Sequence, residues 1–175
     1  MNGITAALDL ESVNSMGRED FVDALGSTFE HSPWIASKAW AARPFDTIDS
    51  LHTAMMDRVL ESPRDAQIAF LCGHPELAGR EAQARTMTAE STGEQAGAGL
   101  NALNRDEMAD LRALNARYRQ RHGFPFIIAA RCHGKAEIFS QLRRRLLADA
   151  ETELREALRH VSIITRLRLE DRLRP

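Results

Sequence analysis

Apolar residues recur along this chain at three- and four-residue intervals, the repeat of an amphipathic helix, and seldom alternate as a half-buried strand would. Phe21, Leu25 and Phe29 share one face, with Ser15 as the expected cap of that first helix. Ser32-Pro33 sets a capping hydroxyl before a proline at the first helical position and starts a helix through Trp34 and Trp40, which Arg43-Pro44 ends. Thr47 caps a helix carrying Ile48, Leu51, Met55 and Val59. Ser62-Pro63 opens another, with Ile68, Leu71 and Cys72 at its apolar end, and Gly73-His74-Pro75 breaks it. Residues 79–88 are polar without period and predict an exposed loop. From about Thr88 a helix runs through Glu94 toward Leu103, and Asn104 or Asp106 caps the next, with Met108, Leu111, Leu114 and Tyr118 on its face. Gly123 to Ile128 contains a proline and a β-branched pair, which predicts a buried non-helical link with room for a short strand. A helix through Ile138, Leu142 and Leu146 and a last one over 149–172 close the chain.

This pattern predicts an all-α fold: a single-domain bundle of about eight helices with short links. The domain spans residues 1–175, with residues 1–14 as an N-terminal extension expected to pack loosely. Of the 175 residues 43% are hydrophobic and 27% charged, enough apolar side chain to form a core and to exclude wholesale disorder. A net charge of -2 supplies no basic field for nucleic acid or anionic lipid, so neither is an expected partner. The longest apolar run, Phe124 to Ala130, falls far short of the roughly 20 residues of a membrane span. The N-terminal MNGITAALDLES has two early acids and no basic segment, unlike a secretory or transit signal. Two cysteines, Cys72 and Cys132, cannot build a disulfide framework and predict reduced thiols in a cytoplasmic protein.

Three features break the bland pattern. On a wheel of about 100° per residue, Arg168 falls within about 40° of Leu154, Val161 and Ile164, on the face that should be buried, while Arg166 points away. A guanidinium among aliphatic residues needs an anion. That anion is either an internal carboxylate or a ligand carboxylate held bidentately, and spacing leaves both open. The second feature is His74, followed by a proline that restricts its backbone; it is a proton-exchange group near neutral pH or a capping histidine. The third is Ser91-Thr92-Gly93-Glu94-Gln95, followed by Gly97 and Gly99, where glycines in a helical pattern cost roughly 1 kcal/mol each unless a backbone or ligand comes close. Cys72-x-His74 and Cys132-His133 invite a metal reading, but the spacing fits no standard zinc motif, and no metal is expected.

Taken together, these segments resemble the family of 2-oxo-4-hydroxy-4-carboxy-5-ureidoimidazoline (OHCU) decarboxylases, which make (S)-allantoin in urate breakdown. The matching pieces are Phe29-Glu30-His31-Ser32-Pro33-Trp34, Arg43-Pro44-Phe45 and Gly73-His74-Pro75-Glu76-Leu77-Ala78. They continue with Ser91-Thr92-Gly93-Glu94-Gln95 and Gly99-Leu100, Leu114-Asn115-Ala116-Arg117-Tyr118, Gly123-Phe124-Pro125-Phe126-Ile127-Ile128, and Leu167-Arg168-Leu169. Order and rough spacing hold from about residue 15 to 173. The resemblance implies an all-helical enzyme without cofactor, a homodimer, acting on OHCU. It implies that His74 donates the proton, with Glu94 and Arg168 as the other catalytic groups. It places the substrate against Pro75, Ser91, Thr92, Gly93 and Gln95 and the backbone of Phe126, Ile127, Ile128, Ala129 and Ala130. Two positions depart from the family pattern: Gly93, commonly larger, and His122, commonly aromatic. Two other readings stand beside this one. One is a non-enzymatic helical module binding a purine-derived or ureido ligand. The other is a metal-assisted hydrolase built on Cys72, His74 and His133.

Overall fold

The computed structural model describes residues 8–174, which form ten α-helices and no strand beyond an isolated pairing of Leu8 with Leu173. The all-α expectation is borne out. The helices are α1 (Leu10–Ser15), α2 (Arg18–Leu25), α3 (Pro33–Ala39), α4 (Ile48–Leu60), α5 (Arg64–Cys72), α6 (Arg80–Ala84), α7 (Ala89–Gly97), α8 (Arg105–His122), α9 (Lys135–Leu146) and α10 (Ala150–Arg172). Of the N-terminal extension expected over residues 1–14, residues 1–7 lie outside the described residues; in the rest, Val13 of α1 is fully buried.

Most helix starts follow from the caps. Thr47 accepts from the Ser50 amide and Ser50 returns the bond, a capping box repeated by Asn104 with Glu107 ahead of α8. Ser32 precedes Pro33 at the start of α3, and Thr88 accepts from the Ser91 amide at the start of α7. Three expectations differ. Ser15 closes α1 instead of capping the next helix, and Gly17 precedes α2. Residues 79–88 are not all loop: α6 makes a short helix there, stopped by Arg85 in the left-handed region at φ 57°. The helix expected to reach Leu103 ends at Gly97, because Gly99 takes φ 78°, open to glycine at little cost, and turns the chain into a 3₁₀ turn over Leu100–Ala102. No strand forms at Gly123 to Ile128.

The chain divides into two compact units, residues 1–63 with 164–175 and residues 64–163. In the first, α3 packs on α2 and α4, and Phe21, Phe29, Leu51, Met55 and Leu169 are buried. His52 and Thr165 share a buried hydrogen bond of 3.0 Å. Arg168 is buried, as the wheel requires, and its Nη1 donates to Glu30 Oε2 at 3.0 Å and to the Thr28 carbonyl at 3.3 Å. Arg166 is only half-buried and pairs with Asp49 and Glu170.

The second unit is organised around a buried carboxylate. Glu153 Oε1 accepts from Arg145 Nε at 2.9 Å and from the Tyr118 hydroxyl. All three side chains are at most 1% exposed. The remaining Arg145 nitrogen, Nη1, donates to the Ile127 carbonyl at 2.8 Å. Phe126 lies under the guanidinium at 4.5 Å and meets the Tyr118 ring edge-on at 5.3 Å. The proline-containing link from Gly123 to Ile128 is thus buried by one ion pair and a ring cluster, which is why it needs neither helix nor strand. Burial and the neighbouring Glu153 carboxylate push the Tyr118 hydroxyl pKa well up, so it stays a donor.

His122 occupies an aromatic place in this cluster. Its ring is 4.6 Å from that of Tyr118 and 6.2 Å from that of Phe124, and both ring nitrogens are buried without a hydrogen-bond partner. Burial holds its pKa below the usual imidazole value. Two orphaned nitrogens carry a desolvation cost that a phenyl ring avoids. His122→Phe is expected to raise unfolding free energy by roughly 1–2 kcal/mol in urea titration; a lower midpoint would mean that the imidazole earns its place another way.

Candidate functional site

The loop that carries His74 leaves α5 abruptly. The Gly73 and His74 amides bond back to the Phe70 and Leu71 carbonyls at 3.1 Å each, and the His74 ring packs edge-on against Phe70 at 5.2 Å. His74 itself is 9% exposed. Four residues later the chain bends sharply. Ala78 sits at φ 47°, a strained value for a side-chain-bearing residue, and a Cβ on Gly79 would come 2.7 Å from that of Glu76.

Two buried amide side chains hold this bend. Gln95 of α7 accepts the Ala78 N–H at 2.8 Å and donates to the Glu76 carbonyl at 3.4 Å. Asn115 of α8 donates to the Leu77 carbonyl at 3.0 Å. The structure therefore joins two of the expected site segments directly: α7, with Ser91, Thr92, Gly93, Glu94 and Gln95, is bonded to the loop of His74 and Pro75. It joins a third as well, since α7 packs against the 3₁₀ turn Ala130–Cys132 that ends the Phe126 to Ala130 segment. Within this group Ser91 and Gln95 are buried, Glu94 is half-buried, and Thr92 and Gly93 face solvent. A Cβ at Gly93 or Gly97 would meet nothing within 4 Å, so close helix packing is not what these glycines serve. Arg168 belongs to the other unit, where Glu30 is its carboxylate partner.

An open cleft of about 900 Å³ adjoins the His74 loop, with His74, Glu76, Asn115 and Arg119 in its wall. Three arginines and two glutamates line it, an excess of positive charge suited to a small anion. The exposed Cys72 thiol opens onto it and donates to the Gly123 carbonyl at 3.3 Å. Among the described residues no three His, Cys, Asp or Glu are grouped to hold a metal, so the Cys72, His74 and His133 set has no ligand geometry, and His133 pairs with Glu137 at 2.9 Å. None of the described helices is long and apolar enough to cross a membrane.

The Phe126 to Ala130 backbone is held from outside itself. Besides the Arg145 bond to Ile127, the Ala129 N–H donates to His160 Nδ1 at 3.2 Å. His160 is 3% exposed, and its Nε2 faces Glu156 at 3.4 Å. Burial, with Arg145 and Arg159 nearby, lowers the His160 pKa to about 4 against the pull of Glu156. The Arg159 bond holds the Glu156 carboxyl down at about 2, so it stays ionised. The sequence reading assigned no role to Asn115, Arg145, Glu153 or His160.

Residues 14–170 match the sequence profile of the OHCU decarboxylase family. The 2-oxo-4-hydroxy-4-carboxy-5-ureidoimidazoline decarboxylase of Mus musculus is 44% identical over 166 residues, 95% of this chain and 93% of that protein. The protein of the same name from Haloferax volcanii is 39% identical over 165 residues, covering 94% and 96%. Among solved structures, (S)-allantoin synthase superposes with a TM-score of 0.74 at 27% identity, over 95% of this chain and 54% of that one.

The His160 assignment gives a pH dependence with a definite sign. The unfolded imidazole takes up its proton near pH 6.5, whereas the folded one waits until about 4. The unfolded state binds more protons in that window, so stability present above pH 6.5 should fall as the pH is lowered through it, by about 3 kcal/mol. Urea midpoints measured from pH 7 to 4 check this; His160→Asn should lose that part of the slope, and an unchanged slope would dissociate it from His160.

Proposed function

The chain belongs to the OHCU decarboxylase family, and from that membership we propose that it is a carboxy-lyase converting OHCU to (S)-allantoin, with His74 as the proton donor. The observation that carries the assignment of roles is the bonding of Gln95 to the Glu76–Ala78 backbone, which ties the helix of Glu94 to the loop of His74. Two groups able to exchange protons then stand on adjoining, mutually braced segments.

The substrate carries a carboxylate and a hydroxyl on one ring carbon and a ureido group on the next. Breaking the bond to the carboxylate releases CO2 and leaves an electron pair in the ring. The unsaturated ring takes up that pair as an enol-like intermediate, so the reaction has its own electron sink. The ring nitrogen that received the pair takes a proton, the hydroxyl yields its own and becomes a ring carbonyl, and the ureido-bearing carbon gains one, so that one proton in all is taken up for each CO2 released. In this reading Glu94 receives the hydroxyl proton and His74 supplies the carbon's from one face, which sets the (S) configuration. Arg168 anchors the anionic or carbonyl edge, and Ser91, Thr92, Gly93, Gln95 and Pro75 line the ureido and hydroxyl side. Backbone groups of Phe126, Ile127, Ile128, Ala129 and Ala130 hold the ring; an irregular link leaves peptide groups outside any helix ladder. Gln95 braces the loop that carries His74, since its amide is engaged by that backbone. A cytoplasmic homodimer belongs to the same reading.

A positioned proton donor contributes about 10²–10⁴-fold to rate. His74→Asn is therefore expected to lose about that factor in kcat while keeping the helical circular-dichroism spectrum. OHCU also decays unaided to racemic allantoin, so the decisive readout is the optical activity that develops from freshly generated substrate. Full turnover with full (S) excess in that variant would remove His74 as donor; binding without turnover by the unsubstituted protein would leave only a ligand-binding module. Glu94→Gln should impair kcat more than folding, and unchanged kinetics would take Glu94 out of the mechanism.

A further inference from the structure

Resting on the reading that residues 126–130 line the substrate, we propose that Arg145 and His160 are positioning residues that fix this backbone from α9 and α10 and leave the Ile128 peptide groups to the ligand. The Ile127 carbonyl is taken by Arg145 Nη1 at 2.8 Å, and the Ala129 N–H by His160 Nδ1 at 3.2 Å. The Ala129 and Ala130 carbonyls are taken by the amides of Cys132 and His133 at 2.9 and 3.2 Å. Between the two side-chain anchors lies Ile128, 3% exposed, whose own N–H and C=O are bonded to none of the described residues. Buried peptide groups are almost always satisfied. The Ile128 N–H and C=O, whose adjoining Ile127 carbonyl and Ala129 N–H are each held by a side chain, are a donor and an acceptor side by side, the complement of a cyclic or ureido amide.

Both anchors are built to stay put. The Arg145 guanidinium spends Nε and Nη2 on Glu153 Oε1, at 2.9 and 2.5 Å, and Nη1 on Ile127, with the Phe126 ring beneath it. No rotation keeps all of these. His160 directs Nε2 toward Glu156, which assigns the proton to Nε2 and leaves Nδ1 as the acceptor the Ala129 amide requires. The charged and titratable groups around it are Glu156, Arg159, Arg145 and His133, the last with its ring 6.0 Å away. At neutral pH the imidazole therefore accepts and does not donate at Nδ1.

The test compares the unsubstituted protein with His160→Leu, which removes the acceptor, and His160→Asn, whose Oδ1 reaches about the place of Nδ1. With freshly generated OHCU, His160→Leu should raise KM by about tenfold, change kcat by less than about threefold and lower the (S) excess of the product, and His160→Asn should restore most of KM. A folded His160→Leu protein with unchanged KM and unchanged optical excess overturns the proposal, as does a failure of His160→Asn to recover KM. Should His160→Leu not fold, amide NMR of the unsubstituted protein decides. On adding (S)-allantoin the Ile128 amide resonance should move and that of Ala129 should keep its bonded shift; an unmoved Ile128 under saturating allantoin overturns it. If the unsubstituted protein does not turn over OHCU at all, the reading of the site fails first, and that result needs no variant.

Discussion

A single carboxylate oxygen, Oε1 of Glu153, organises the second unit. It receives the Arg145 guanidinium and the Tyr118 hydroxyl in a place that solvent does not reach. Taking both charges out of water is costly, and their mutual attraction recovers the cost only where geometry is good and the remaining donors are used. Here the remaining donor is used on a backbone carbonyl, which turns a doubtful contributor to stability into a fixture for an irregular segment. Without it, the Phe126 to Ala130 link would have no regular structure to define its course. The ring cluster of Tyr118, Phe124 and Phe126 depends on the same fixture, because the guanidinium roofs one of its faces.

A comparable logic governs the His74 loop, with neutral amides in place of ions. Gln95 and Asn115 bond three consecutive residues' backbone, Glu76 to Ala78, and so support a left-handed alanine that would otherwise relax. The histidine is thereby carried on a strained but pinned turn, not on a helix. Side chains placed this way keep their orientation without having to be packed on every side.

Much of this was legible in the residues. Thr47, Ser32-Pro33, Thr88 and Asn104 announce helix starts because a capping side chain acts on amides three positions away, a purely local event. Arg168 was readable as buried because helical periodicity fixes direction, but its partner Glu30 was not, being 138 residues distant in sequence. The wheel that placed Arg168 applies equally to Arg145, seven residues after Ile138 and three after Leu142, and to Glu153 and His160, eleven and four residues before Ile164 and within about 40° of it. The short helix α6 and the early end of α7 were not readable, since polar segments carry little periodicity and Gly99 declares its left-handed turn only through its dihedral angles.

The two units differ in how they are drawn from the chain. The second is continuous, and the links of its central knot, Tyr118 to Glu153 and Arg145 to Glu153, close loops of 35 and 8 residues. The first is made from both ends, and its buried ion pair must wait for residues near the C-terminus. Short loops close with less entropy lost and reach their contacts sooner. On refolding, then, the knot of Tyr118, Arg145 and Glu153 can close early, whereas the Glu30–Arg168 pair waits on a closure that spans 138 residues.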